Sequence, residues 1–303
     1  MPGAEMVFDI LLAVLLLVLA VAAINAPRLY SAVVLFIALG LLLALTWARL
    51  GAPDLALAEA AIGAGLTGVL LLSALSRSDP ETRHKPRAGR SGLALLGSAF
   101  LLLILWQAVL PLADMPTRLP TLAQEALPLS GVDHPVTAVL LNFRAWDTLL
   151  ELVVLLLALL GVRQLQPEPE KLANAWPILG SWASFLAPLT VTVAFYLLWR
   201  GSHAPGGAFQ AGALIAAGAV VLRLTGTLPV LRWESITLRL LVLCGVALFL
   251  LTGILTAWLG EGWLAYPRDW NSQLILLIEV AATLSIAASL TLLVLGDRRE
   301  LGR

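Results

Sequence analysis

Long apolar runs separated by short polar breaks dominate this chain from its first turn to about residue 295. A helix that crosses a bilayer needs about 20 mostly apolar residues, each rising 1.5 Å. Segments near residues 7–25, 29–48, 54–76, 92–110, 145–162, 178–199, 206–224, 235–257 and 271–295 meet that length or come close. None alternates with the period of two that marks a half-buried strand. The pattern predicts an all-α polytopic membrane protein with about nine transmembrane helices. A shorter apolar piece, Val136 to Leu141, cannot span and is expected to lie along the membrane surface or to pack on other helices.

The polar breaks are unequal. The stretches Ser76 to Ser91 and Gln164 to Asn174, the latter with Pro167 and Pro169, read as linkers. They divide the chain into modules of three, two and four spans over residues 1–75, 92–163 and 176–296. A long polar segment, Pro111 to Phe143, lies inside the second module.

Charge gives these spans a direction. Arg28, then Arg77, Arg83, Lys85, Arg87 and Arg90, then Arg163 and Lys171, then Arg223 and Arg232, then Arg298, Arg299 and Arg303 all fall on one side of the alternation. The other side holds Arg49, Arg118, Arg144, Arg200 and Arg268. The positive-inside rule puts the first set in the cytoplasm, with the N-terminus outside and the C-terminus inside. Glu5 and Asp9 stand where a secretory signal would carry basic residues, so the first run reads as a retained span. Trp47, Trp106, Trp146, Trp176, Trp199, Trp233, Trp258 and Trp270 lie at or near the expected helix ends, where amphipathic rings favour the headgroup layer.

Composition narrows the chemistry. Hydrophobic residues make up 60% of the chain and charged residues 13%, against about 25% charged in a soluble domain. No basic face for nucleic acid emerges. Cys244 is the single cysteine, which excludes iron-sulfur ligation, a CxxC pair and an intramolecular disulfide within this chain. No pattern for a metal or another cofactor, and no aqueous catalytic site, is visible.

An ionisable group within the bilayer costs about 2.5–3.5 kcal/mol on insertion scales, so each one needs a reason. Glu59 is expected about 8 Å into the third span and Glu279 about 12 Å into the ninth. Asp147 and Glu151, four residues apart, share one face of the fifth span, and Asp54 begins the third. These five carboxylates are the candidates for an ion or proton path, all entering from the outer side. The plainer reading is that they are neutral, or satisfied at helix interfaces. Lys85 and Lys171 are the only lysines and both lie in loops, so no span supplies a buried lysine to hand on a proton.

Gly63, Gly65 and Gly68 spell GxGxxG. That fingerprint needs a preceding strand, and here it lies within an apolar helix. Ala56, Ala60, Ala64 and Gly68 instead form a small-residue stripe that admits a close neighbour, and such a glycine-rich helix can carry a bulge beside Glu59. Pro205, Gly206 and Gly207 fit a tight reversal between the sixth and seventh spans, followed by a second stripe of Ala208, Gly212 and Ala216. His203 fits that turn better than it fits catalysis. His84 and His134 lie in loops and carry no assignment.

Three stretches together resemble the Mrp-type multisubunit cation/proton antiporters and the related membrane-bound hydrogenases. Gly51-Ala52-Pro53-Asp54-Leu55-Ala56-Leu57-Ala58-Glu59-Ala60 is similar to a small three-helix hydrogenase subunit and to the C-terminal part of the large antiporter subunit. The run from Thr137 through Phe143-Arg144-Ala145-Trp146-Asp147-Thr148-Leu149-Leu150-Glu151 resembles the following small subunit. Pro205-Gly206-Gly207-Ala208-Phe209-Gln210 resembles the signature of the antiporter B subunit. Ser202 stands where that signature usually has histidine, and Ala208 replaces a third glycine.

The resemblance implies a fusion of the C-terminal part of the A subunit with the B subunit, its first two modules related to a complex I membrane subunit. It also implies a non-catalytic subunit of the bacterial or archaeal cytoplasmic membrane that helps couple sodium and proton movement. Large antiporter subunits would be its partners. Glu59 and Glu151 match acidic positions of the motifs, and Asp147 the preceding aspartate. The membrane arm of a hydrogenase-like or complex I-like pump, and a purely structural scaffold, are the alternatives.

Overall fold

A computed structural model of the chain describes residues 2–76, 88–113, 118–165, 177–229, 231–260 and 262–296. Most of the two expected linkers, with Trp176 and His84, lies outside the described residues. Among the described residues the regular structure is helical throughout, as the absence of period-two alternation requires. Helices α1 (Pro2–Asn25) and α2 (Leu29–Arg49) are followed by α3 (Pro53–Ala58), a π-helical segment Glu59–Leu66 and α4 (Thr67–Ser76). Next come α5 (Ala88–Val109), α6 (Arg118–Ala126) and α7 (Pro135–Ala138), the last continued by a second π-helical segment, Val139–Phe143. The chain then forms α8 (Ala145–Gln164), α9 (Pro177–Arg200), α10 (Ala208–Leu224), α11 (Ile236–Trp258) and α12 (Asn271–Leu295).

Among the described residues, eight helical stretches are long and apolar enough to cross a membrane, with α3, its π segment and α4 counting as one over Pro53–Leu75. The seventh expected span is shorter than the sequence suggests. Residues 206 and 207 are spent on the turn, leaving the 17 residues of α10, about 25 Å of helix against a core about 30 Å thick.

Contacts gather the helices into two units that cut across the sequence modules: Met1–Ser76 with Leu127–Arg303, and Arg77–Ala126. In the smaller unit, α5 is exposed along its described side chains from Gly92 onward. In the larger unit α12 is the hub and packs against α8, α9, α10 and α11. Its centre is apolar and close-packed, with Phe249, Ile278 and Ile286 fully buried.

Small residues set the helix spacing. A methyl group on Gly212 would come within 2.7 Å of Ile286 on α12, and one on Gly40 within 3.1 Å of Ala64. Gly68 meets Ile37 in the same way. Both small-residue stripes read from the sequence therefore lie at helix contacts, where backbones approach because no side chain intervenes. The short apolar piece after Val136 packs on other helices, with Thr137, Ala138 and Leu141 buried. At the end of α2, Arg49 donates to Asp9 at 2.8 Å and to Glu5 at 3.3 Å, clasping α1 to α2.

Candidate functional site

Segments from all three sequence modules meet at one end of the larger unit. Asp54 stands in the first turn of α3, where Pro53 takes the first helical position and needs no hydrogen-bond partner for a missing N–H. Its Oδ2 lies 2.9 Å from His134 Nε2, and its Oδ1 accepts the Gly206 N–H at 3.2 Å. The carboxylate and the imidazole are 13% and 12% exposed.

The turn between α9 and α10 is built to be approached. Leu197 C=O accepts N–H groups from Gly201 and Gly207, closing Gly201 onto Gly207. Gly207 has φ 115°, and a Cβ on Gly206 would lie 2.4 Å from Leu197 O. Glycine at both positions is thus required, one by conformation and one by space. Ser202 C=O accepts the N–H groups of Asp133 and His134 at 2.9 and 3.0 Å, and the Thr137 hydroxyl donates to Gly201 C=O. Pro135 restricts His134 to an extended backbone (φ −89°, ψ 120°), which ends the loop and starts α7.

Glu279 reaches the same turn from α12. It is 2% exposed. A methyl group on Gly201 or Gly207 would lie 3.3 or 3.4 Å from its Oε1, and Oε2 has no hydrogen-bond partner among the described residues. A carboxyl oxygen left without a partner in a low-dielectric interior costs about 1–3 kcal/mol. Gln210, in the first turn of α10, turns its Oε1 toward the same space, 3.8 Å from where a Gly207 Cβ would stand.

The other candidates lie apart from this turn or face outward. Glu59 opens the π-helical segment and folds back over Gly63, where a Cβ would sit 2.2 Å from its Oε1. The absence of a side chain at Gly63 makes the room for the carboxylate. Gly65 meets only the Ala60 carbonyl of its own helix. Asp147 pairs with Arg144 at 2.6 Å near the start of α8. Glu151 is exposed on α8 and has no ion pair or hydrogen bond among the described residues.

Nothing in the sequence marks His134 or Thr137 as part of this junction, because their partners are 80 and 64 residues away. His203 is exposed. Its Nδ1 bonds the Ser202 hydroxyl, and its ring meets Trp199 edge-on, which suits a turn residue. Trp263 Nε1 and Tyr266 Oη, in the loop before α12, are further buried polar atoms without hydrogen-bond partners among the described residues. Burial raises the Tyr266 phenol above its ordinary value. No group of three or more potential metal ligands occurs among the described residues.

Residues 14–80 match the MbhD family, described as the D subunit of MBH, and residues 178–296 the domain related to the MnhB subunit of Na+/H+ antiporter. A protein of Rhizobium meliloti (strain 1021), named as a probable A/B subunit of a K(+)/H(+) antiporter, is 25% identical over 270 residues. The match covers 75% of this chain and 26% of that protein. A putative antiporter subunit mnhA2 of Staphylococcus saprophyticus is 32% identical over 114 residues, 37% of this chain and 14% of the relative. The chain thus spans about a quarter or less of these two relatives.

Among solved structures, the fold resembles a chain of the Mrp complex from Dietzia sp. DQ12-45-1b, with TM-score 0.79 and 24% identity. That likeness covers 97% of this chain and 35% of the other. A chain of the membrane-bound sulfane sulfur reductase, an archaeal respiratory membrane complex, shares the fold at TM-score 0.51 and 22% identity, over 65% of this chain and 95% of that one.

Proposed function

We propose that this chain, whose residues 14–80 match the MbhD family and whose residues 178–296 match the MnhB-related domain, is a non-catalytic membrane subunit of a cation/proton antiporter complex, with the make-up of an Mrp-type A/B fusion. Its carboxylates Asp54, Glu59, Asp147, Glu151 and Glu279 contribute to an ion and proton path completed by larger antiporter subunits. The observation that carries this reading is the outer-end turn, where Asp54 accepts the Gly206 N–H and the buried Glu279 Oε1 lies 3.4 Å from where a Cβ on the adjacent Gly207 would stand. Two acidic groups on one water-poor turn suit a route along which charge moves between stations rather than a packed core. Glu151 suits the same reading, since a carboxylate exposed on a spanning helix is costly in lipid and favourable against a partner subunit.

The complex sits in the cytoplasmic membrane of a bacterium or archaeon, with this chain's N-terminus outside and its C-terminus inside, as the arginine distribution requires. Sodium is the proposed cation, and the name of the Rhizobium relative makes potassium the comparison to run. Everted vesicles carrying the whole complex would exchange protons for sodium or potassium. Glu59→Gln or Glu151→Gln abolishes that exchange without loss of assembly. Unchanged exchange in both would remove these residues from the path and leave the chain a scaffold.

A second reading draws on the likeness to the sulfane sulfur reductase chain, 95% of which this fold covers. It makes the chain part of the membrane arm of a redox-driven pump. Gentle purification separates the two: peripheral subunits with iron-sulfur signals favour the redox arm, and large antiporter subunits alone favour the antiporter.

A further inference from the structure

The outer-end junction holds a titratable group that the carboxylate path does not use. His134 is gripped from two directions. Its backbone N–H and that of Asp133 bond the Ser202 carbonyl in the α9–α10 turn, while its Nε2 lies 2.9 Å from Asp54 Oδ2. Because Asp54 Oδ1 is occupied by the Gly206 N–H, the carboxylate cannot rotate away without breaking a second bond. Ring and carboxylate are both largely buried, which strengthens their interaction and keeps water from substituting for either partner. Glu279 meets the same turn, with one oxygen 3.3 and 3.4 Å from where a Cβ on Gly201 or Gly207 would stand and the other without a hydrogen-bond partner among the described residues.

We propose that His134 and Asp54 form a proton-binding pair that serves the path between the first-module carboxylates and Glu279. This rests on the functional reading above. A serine or asparagine could hold Asp54 by a hydrogen bond, but an imidazole can also pass on the proton it donates and take up another. In the transfer step the Nε2–H bond breaks and an O–H bond forms on Oδ2. Imidazolium and carboxylate become neutral imidazole and carboxylic acid, so the net charge of the pair does not change. A transfer that creates no net charge is the least costly kind in a low-dielectric site. The titratable groups around His134 are Asp54 from α3, Asp133 beside it, exposed His203 in the facing turn and Glu279 from α12. The pair thereby ties the first, second and third sequence modules to one proton-exchanging contact.

The test uses the intact complex with His134→Gln, whose amide nitrogen can still donate to Asp54 but holds no exchangeable charge. Assembly is expected to persist, while proton-coupled exchange falls by about ten-fold or more and its pH profile flattens. A second measurement does not depend on transport: deuterium exchange at the imidazole C2–H of His134, followed by mass spectrometry across pH in the purified complex. A sigmoidal pH dependence that changes in Asp54→Asn supports the pair. Exchange by His134→Gln at the wild-type rate and pH profile overturns it, and so does a C2–H rate that is independent of pH. If the wild-type complex moves no ions, the functional reading falls, and the imidazole measurement still decides whether His134 binds and releases a proton with Asp54.

Discussion

Gly63 is a position where one methyl group separates stability from function. The atom it would strike is the far end of the Glu59 side chain, 2.2 Å away, and that end can swing aside. Gly63→Ala is therefore expected to leave the melting temperature of the complex unchanged and to lower exchange several-fold by displacing the carboxylate. A large drop in melting temperature would mean that the π-helical backbone itself needs this glycine. Glu279 should behave in the opposite sense. Its Oε2 is buried without a partner among the described residues, so replacement by methionine of similar length removes a penalty of about 1–3 kcal/mol. Glu279→Met should hold or raise the melting temperature while abolishing exchange, and a fall of several degrees would show that other subunits satisfy this carboxyl. Both residues were recognisable as candidates from the chain, since acidic side chains are rare in apolar runs. Which of them is buried and which lies over its own helix could not be read there, because that depends on the neighbours of each helix.

At the scale of helices, the small-residue stripes were legible and their partners were not. A Cβ on Gly212 would lie 2.7 Å from the Ile286 side chain and 3.1 Å from the Thr283 carbonyl, a branched side chain and a backbone atom that cannot both give way. Gly212→Ala should therefore push α10 from α12 and cost about 1–3 kcal/mol, read as a lowered melting temperature. Gly161→Ala in α8, where a methyl group meets nothing within 4 Å, is the matched control and should be neutral or slightly stabilising. The π-helical segment from Glu59 to Leu66 was foreshadowed only as a bulge beside glycines. Its register depends on how Ala64 and Gly68 seat against α2, which is a tertiary matter. The shortening of α10 has the same origin, because the contact between Gly201 and Gly207 takes residues that composition alone would have given to the helix.

For the whole molecule, the topology can be tested directly. With Cys244 replaced by serine, Asp269→Cys should react with an impermeant maleimide from outside intact cells, and Glu234→Cys only after lysis. The reverse pattern would invert the proposed orientation. The all-helical fold and most of the spans followed from the sequence by itself, because a bilayer obliges each crossing segment to satisfy its own backbone and so writes its length into the chain. The positive-inside asymmetry added the proposed orientation for the same reason, a local cost for each charge. The junction of Asp54 and His134 with the α9–α10 turn, and the arrival of Glu279 at that turn, were decided only by the tertiary structure. Hydrogen bonds between residues 80 or more positions apart leave no periodicity in a sequence, and they become visible only once packing of the helices has brought their ends together.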